Sequence, residues 1–151
     1  MKKFISLLLL IIGISFTSSA FATNIGYIDF KKVGAEYYYA QRVYKDLDNK
    51  YLDLQQYSIE VGKQYKTIDS PIAKKNFEEK TQKEFAAKRE ALEKLQIQKE
   101  EDIYNRVMTA ARTIANERKL EAIFDKNAVF VGGADITDEV IRRLNAQAGA
   151  R

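Results

Sequence analysis

The sequence predicts a mainly helical α+β protein in which a long antiparallel coiled-coil hairpin is inserted into a small β-strand body. Three observations carry that expectation. Non-polar or aromatic residues recur in steps of four and three from Val33 to Ile68, a Ser-Pro pair follows at once, and short β-branched segments flank the helical region on both sides.

Residues 1–22 read as an export signal. Lys2 and Lys3 supply the positive start, Phe4 to Ile14 is almost wholly apolar, and Ala20-Phe21-Ala22 fits the small-x-small cleavage pattern, which places the mature start at Thr23. The apolar run falls well short of the roughly 20 residues that span a bilayer, so a cleaved signal and an exported, periplasmic product are expected. Loss of Lys2 and Lys3 leaves 23 basic residues against 21 acidic ones. A balance so close to neutral gives no reason to expect a nucleic-acid partner. The chain has no cysteine, hence no disulfides, and no histidine. The commonest general base and the usual zinc and copper ligands are therefore missing. Gly132-Gly133 is not a phosphate loop. No catalytic residue, cofactor or metal is expected.

Asn24 to Phe30 alternates as a strand, with Ile25, Tyr27 and Asp29 on one side and Gly26, Ile28 and Phe30 on the other. Gly34 then opens a first helix whose seam is Val33, Tyr37, Ala40, Tyr44, Leu47, Tyr51, Leu54, Ser58, Val61, Tyr65 and Ile68. Only Ser58 breaks the series. A 3.5-residue period means a narrow apolar stripe facing one neighbouring helix. Seven of the nine tyrosines lie in this helix, where a ring can face the seam while its hydroxyl stays wet.

Ser70 suits a helix N-cap, and Pro71, the only proline, suits the first helical position. Residues 69–71 are thus the tip of the hairpin, and a second helix returns to about Arg118. Its outer part carries scattered Phe77, Phe85, Leu92 and Leu95; its root carries the more regular Ile103, Val107, Ala110 and Ile114. The tip is mildly basic, with six lysines from Val61 to Lys83. Beyond the helix, Glu121 to Asp125 and Ala128 to Val131 look like two strands joined by a tight Lys126-Asn127 turn. Asp135 can cap a last helix with the stripe Ile136, Val140, Ile141 and Leu144, and the small residues after Asn145 suggest a frayed tail.

The organisation expected is a signal over 1–22, a body built from 23–34 and 119–151, and an arm over 35–118. A body this small rarely folds alone, and exposed strand edges offer a route to self-association. Ile25, Tyr27, Ile28, Ile123, Phe124, Val129 and Val131 are its expected oligomerisation residues. On the arm, Tyr57, Tyr65, Phe77, Phe85, Lys63, Lys66, Lys74 and Lys75 are the candidate binding residues, since mixed aromatics and lysines offer many weak contacts. The competing expectation is an exported adaptor that docks one folded partner through its tip, around Ile68 to Phe77. Binding to an anionic membrane rests on the tip lysines alone, without the broad apolar face it needs.

Ile25-Gly26-Tyr27-Ile28-Asp29 followed by Val33, then Ile114-Ala115, Ala122-Ile123-Phe124-Asp125, Asn127-Ala128-Val129 and Asp135-Ile136-Thr137 give the chain a resemblance to the Skp/OmpH family of periplasmic chaperones. The resemblance spans essentially the whole mature chain. It implies a jellyfish-like homotrimer whose arms enclose a cavity holding unfolded outer-membrane β-barrel proteins against aggregation, without ATP or metal. Weak contact with anionic lipid or lipopolysaccharide is a family theme, but none of its residues can be carried over. Glu100-Glu101-Asp102 depart from the strongly basic arms typical of the family, which argues against tight electrostatic capture of acidic clients.

Overall fold

The computed structural model describes residues 24–149; the expected signal over residues 1–22 lies outside them. Strand β1 (Ile25–Ile28) leads into helix α1 (Phe30–Glu36), helix α2 (Tyr38–Lys66) and helix α3 (Pro71–Arg118). Strands β2 (Ala122–Asp125) and β3 (Ala134–Asp135) and helix α4 (Thr137–Gly149) follow within the described residues. The protein is mainly helical with one small sheet.

Asp29 decides where the first helix begins. Its carboxylate accepts the Lys32 backbone N–H at 2.9 Å as an N-cap. Phe30 therefore starts a helix instead of extending the strand, and Gly34 lies inside α1 instead of opening a helix. The helix then breaks at Tyr37, whose backbone is extended (φ −80°, ψ 111°). Asn145 of α4 bridges the break, accepting the Tyr38 N–H at 2.9 Å and donating to the Glu36 carbonyl at 3.0 Å. One amide thus satisfies an orphan group on each side of the kink. Asn145→Ala should cost about 1 kcal/mol, the usual net value of such bonds where water can replace them. A chain of this size would melt about 4 °C lower, which thermal circular dichroism would read.

The three strands are all parallel, in the order β2-β1-β3, with Tyr27 opposite Phe124 on one side and Asp135 on the other. This corrects the expected second strand over Ala128–Val131. Asp125 accepts the Asn127 N–H at 2.7 Å and caps a 3-10 turn over Lys126–Ala128. The chain then swings across through Gly132 and Gly133, both at positive φ (82° and 88°), to place β3 against the far edge of β1. Glycine suits both positions because such angles strain other residues. Gly26 packs closely for a different reason: a Cβ there would sit 2.8 Å from Leu120 Cδ1 and would displace the tip of that side chain.

The core lies where sheet, α1, the root of α3 and α4 meet. Ile28, Val33, Ile114, Ile136, Val140 and Leu144 are fully buried in it. Thr137 is buried too, and its hydroxyl accepts the Asp29 backbone N–H at 3.0 Å, tying α4 to the end of β1. Arg143 holds Glu117 with two hydrogen bonds of 2.9 and 2.7 Å, fixing α4 across the root of α3. With this support α4 stays helical to Gly149, past Asn145, where a frayed tail was expected; residues 150–151 lie outside the described residues.

Ser70 caps α3 and Pro71 fills its first turn, while Lys119 in the left-handed conformation ends it. At 1.5 Å per residue α3 runs about 72 Å against about 44 Å for α2. The excess length of α3 carries Ala110, Ala111 and Ile114 down into the body core.

Candidate functional site

Beyond the body, α2 and α3 run side by side in opposite directions, linked by hydrogen bonds that pair ever closer positions toward the tip. Tyr39 donates to Asp102 at 2.7 Å, Tyr51 to Gln96 at 2.5 Å and Tyr57 to Glu84 at 2.6 Å. In each pair the tyrosine ring lies near the helix interface and its hydroxyl reaches across, as suits an amphipathic side chain.

The root is the best-anchored part. Asp102 accepts from both Tyr39 and Arg106, and the Arg106 guanidinium lies 4.7 Å from the Tyr39 ring centroid. Phe30 stacks on Tyr104 at 6.1 Å, joining α1 to the same region. Arg106 first, and the Tyr39 hydroxyl second, hold the Asp102 carboxyl below its ordinary value near 3.8. Lys126 does the same for Asp29, and Arg143 for Glu117. A depressed carboxyl stabilises the fold above its unfolded pKa, and that contribution disappears as pH falls through the folded one. With no histidine to titrate, stability should be flat from about pH 8 to 5 and drop below about pH 4. Denaturant midpoints across pH would show this, and Asp102→Asn should flatten part of the acid limb.

The seam is best sealed near the root, where Ala40, Val43 and Leu47 of α2 and Ile103 and Val107 of α3 are buried. Farther out on α3, Leu92 and Thr81 are buried as well. Val43 takes the place expected for Tyr44, which is exposed, as is Tyr51. Farther out Leu54, Tyr57, Val61 and Ile68 are only half-buried. The strict 3.5-residue stripe therefore drifts: α2 rotates its contact line enough to replace Tyr44 with Val43 and Ser58 with Tyr57.

The eight candidate arm residues separate accordingly. Tyr57, Phe77 and Phe85 are half-buried between the helices. Tyr65 is exposed, with the Lys74 ammonium 5.5 Å from its ring centroid. Lys63, Lys66 and Lys75 are free in solvent, whereas Lys74 is half-covered. Two clefts open beside the seam and meet at Tyr57: one of about 380 Å³ between Lys50, Leu54, Lys88 and Leu95, and one of about 130 Å³ between Val61, Gln64, Phe77 and Thr81. Leu52, Ile59, Ile72 and Ile97, all exposed apolar residues lying off the seam, stand outside the sequence-based candidates. Their signal in the sequence is an apolar residue outside the 3.5-residue register.

In the body, Ile25, Tyr27, Ile123 and Val129 are half-buried and Phe124 is exposed along the outer strand β2. Ile28 is wholly enclosed by its own chain. Val131 is 92% exposed, and its neighbour Phe130, absent from the sequence-based set, is 99% exposed.

Among the described residues no helix is long and apolar enough to cross a membrane. No curated protein matches the chain. A solved structure from Caulobacter crescentus, named as a candidate outer membrane chaperone (OmpH-like), is 17% identical, covers 82% of this chain and 85% of its own, and superposes with a TM-score of 0.38. The profile of the family described as outer membrane protein (OmpH-like) matches residues 24–144, from the first residue of the sheet region to the last buried leucine of α4. With most of its length matched, the chain belongs to the OmpH-like family.

Proposed function

We propose that this protein is a periplasmic, ATP-independent holdase that keeps unfolded outer-membrane β-barrel proteins from aggregating. The observation that carries this reading is the arm itself: a long two-helix projection whose outer half leaves tyrosines, leucines and isoleucines in contact with water beside lysines. Unfolded barrel strands expose alternating apolar side chains and unpaired edges. A surface of many weak apolar and cationic contacts can hold such chains without one specific pocket, and several arms acting together raise the effective concentration. The protein acts as a homotrimer, joined through the free edge of β2 and the exposed Phe130-Val131 segment, so that three arms surround one client. No catalytic step is involved.

Dilution of a urea-denatured outer-membrane barrel into buffer without ATP tests this. Suppression of light scattering at about one trimer per client is the expected result. Full aggregation at a severalfold excess of chaperone rejects it. The exposed Ile72 at the tip, close to Lys74 and Lys75, favours a second reading, an adaptor gripping one folded partner. That reading predicts no suppression.

A further inference from the structure

The two clefts that meet at Tyr57 form one groove along a single side of the arm. Three features make it more than an irregularity of packing. Its floor is apolar, with Leu54 and Leu95 half-buried and Leu92 buried. Ala91, too short to fill the gap, leaves the larger cleft at about 380 Å³, within the range of cavities that enclose small organic groups. Tyr57 is held as a fixed partition by its hydrogen bond to Glu84 and by the Lys88 ammonium 5.1 Å from its ring centroid.

Charge points to the occupant. The rim of the larger cleft carries Lys50 and Lys88 against Asp53. Lys50 has only a 4.0 Å approach to Asp46 to occupy it. An apolar floor below an excess of ammonium groups suits a bulky apolar side chain with a carboxylate close by on the same backbone. Aromatic side chains remove the most surface from water in such a site, about 150–250 Å² each.

We propose that this groove is where the arm grips its client, taking aromatic or branched side chains of an extended unfolded chain, with client carboxylates paired to Lys50 and Lys88. The proposal rests on the holdase reading and sharpens it, because it selects one side of the arm. Leu52 and Ile59, although exposed, lie on the other side: Leu52 is about 200° around α2 from Leu54. They are not the gripping residues.

The test uses the full mature chain and a dye-labelled, urea-denatured outer-membrane barrel. The photo-crosslinking residue p-benzoylphenylalanine is placed at position 53, on the rim of the larger cleft, in one variant and at position 52 in another. Both positions are exposed, so neither change disturbs the core. Crosslinking to client at least fivefold stronger from position 53 is expected. Client held in solution but crosslinked equally or better from position 52 overturns the groove and leaves the holdase standing. Failure of the unmodified protein to hold client at all overturns the holdase reading, and the groove with it. Ala91→Trp supplies a second measurement: by filling the larger cleft it should weaken client binding about tenfold, with helix content and oligomer state unchanged. Unaltered affinity in that variant also rejects the groove.

Discussion

Truncating Ile114 to alanine should cost about 2–5 kcal/mol of stability, the range for large-to-small changes at fully buried sites. Ile114 is fully buried at the root of α3, in one core with Ile28 of β1 and Ile136, Val140 and Leu144 of α4. Three elements remote in sequence would therefore face the cavity, and a stiff sheet-and-helix junction has little room to collapse into it. Domains of this size have total stabilities of about 5–15 kcal/mol, so the variant should sit near the edge of folding. The expected result is a large fall in the urea midpoint by far-ultraviolet circular dichroism, measured at fixed chain concentration because subunit association contributes to stability. Since α3 runs without interruption from this core to the tip, the arm should lose its helical signal in the same transition. A fall of less than about 0.5 kcal/mol, or an arm that melts separately, would mean that the core does not organise the arm.

How far the fold could be read from sequence follows the distance over which each feature is decided. The limits of α3 are local: Ser70 offers its hydroxyl to the first turn, Pro71 needs no N–H there, and both sit beside each other in the chain. The stripe Ile136, Val140, Ile141 and Leu144 is equally local, and all four residues are buried. The kink at Tyr37 is not. Two of its orphan backbone groups, the Tyr38 N–H and the Glu36 carbonyl, are satisfied by Asn145, more than a hundred residues away, and the one local side-chain bond, from Gln41 to the Ala35 carbonyl, is no recognisable break signal. Strand order fails to show for the same reason. Ala122–Asp125 followed by Lys126-Asn127 looks like half of a hairpin, but its partner is the distant β1, which it joins in parallel, and the Asp125 side chain turns the backbone out of the sheet before a return strand can form.

The candidate site divides along the same line. That α2 would carry a run of tyrosines beside its partner helix was legible, but their spacing misplaces the rings: Tyr44, Tyr51 and Tyr65 are exposed, whereas Tyr57, outside the predicted register, is half-buried. Which hydroxyl reaches which acceptor depends on register between two helices, and the heptad pattern leaves that open. Tyr57 and Phe77 belong to one groove because the outer seam is too loosely packed to enclose them. Ala91 would pass for a neutral surface residue in sequence, although its small size opens the larger cleft. The lysines at the tip are conspicuous in the sequence. Exposed charges, however, contribute little each, and Lys63, Lys66 and Lys75 all stand exposed to solvent.

Phe130→Ser combined with Val131→Ser should convert the proposed trimer into monomers while leaving each chain folded. Both side chains are almost entirely exposed, 99% and 92%, and follow the free outer strand β2 in sequence. Their replacement removes no apolar contact inside the chain. In an assembled body the same residues would be covered, and full burial of such side chains is worth about 1.5–3 kcal/mol each. Losing both would weaken association by about 3–6 kcal/mol per subunit, or roughly a hundredfold to ten-thousandfold. Light scattering at micromolar concentration should then report a single chain, with the far-ultraviolet spectrum of the parent. The contrast with Ile114→Ala is what makes the pair informative, since one change strikes the core of the single chain and the other only what that chain leaves bare. A variant that remains trimeric would move the subunit contact away from the Phe130-Val131 segment. A parent that is monomeric and fully folded at the same concentration would remove the trimer altogether, and with it the cavity that the three arms are proposed to enclose.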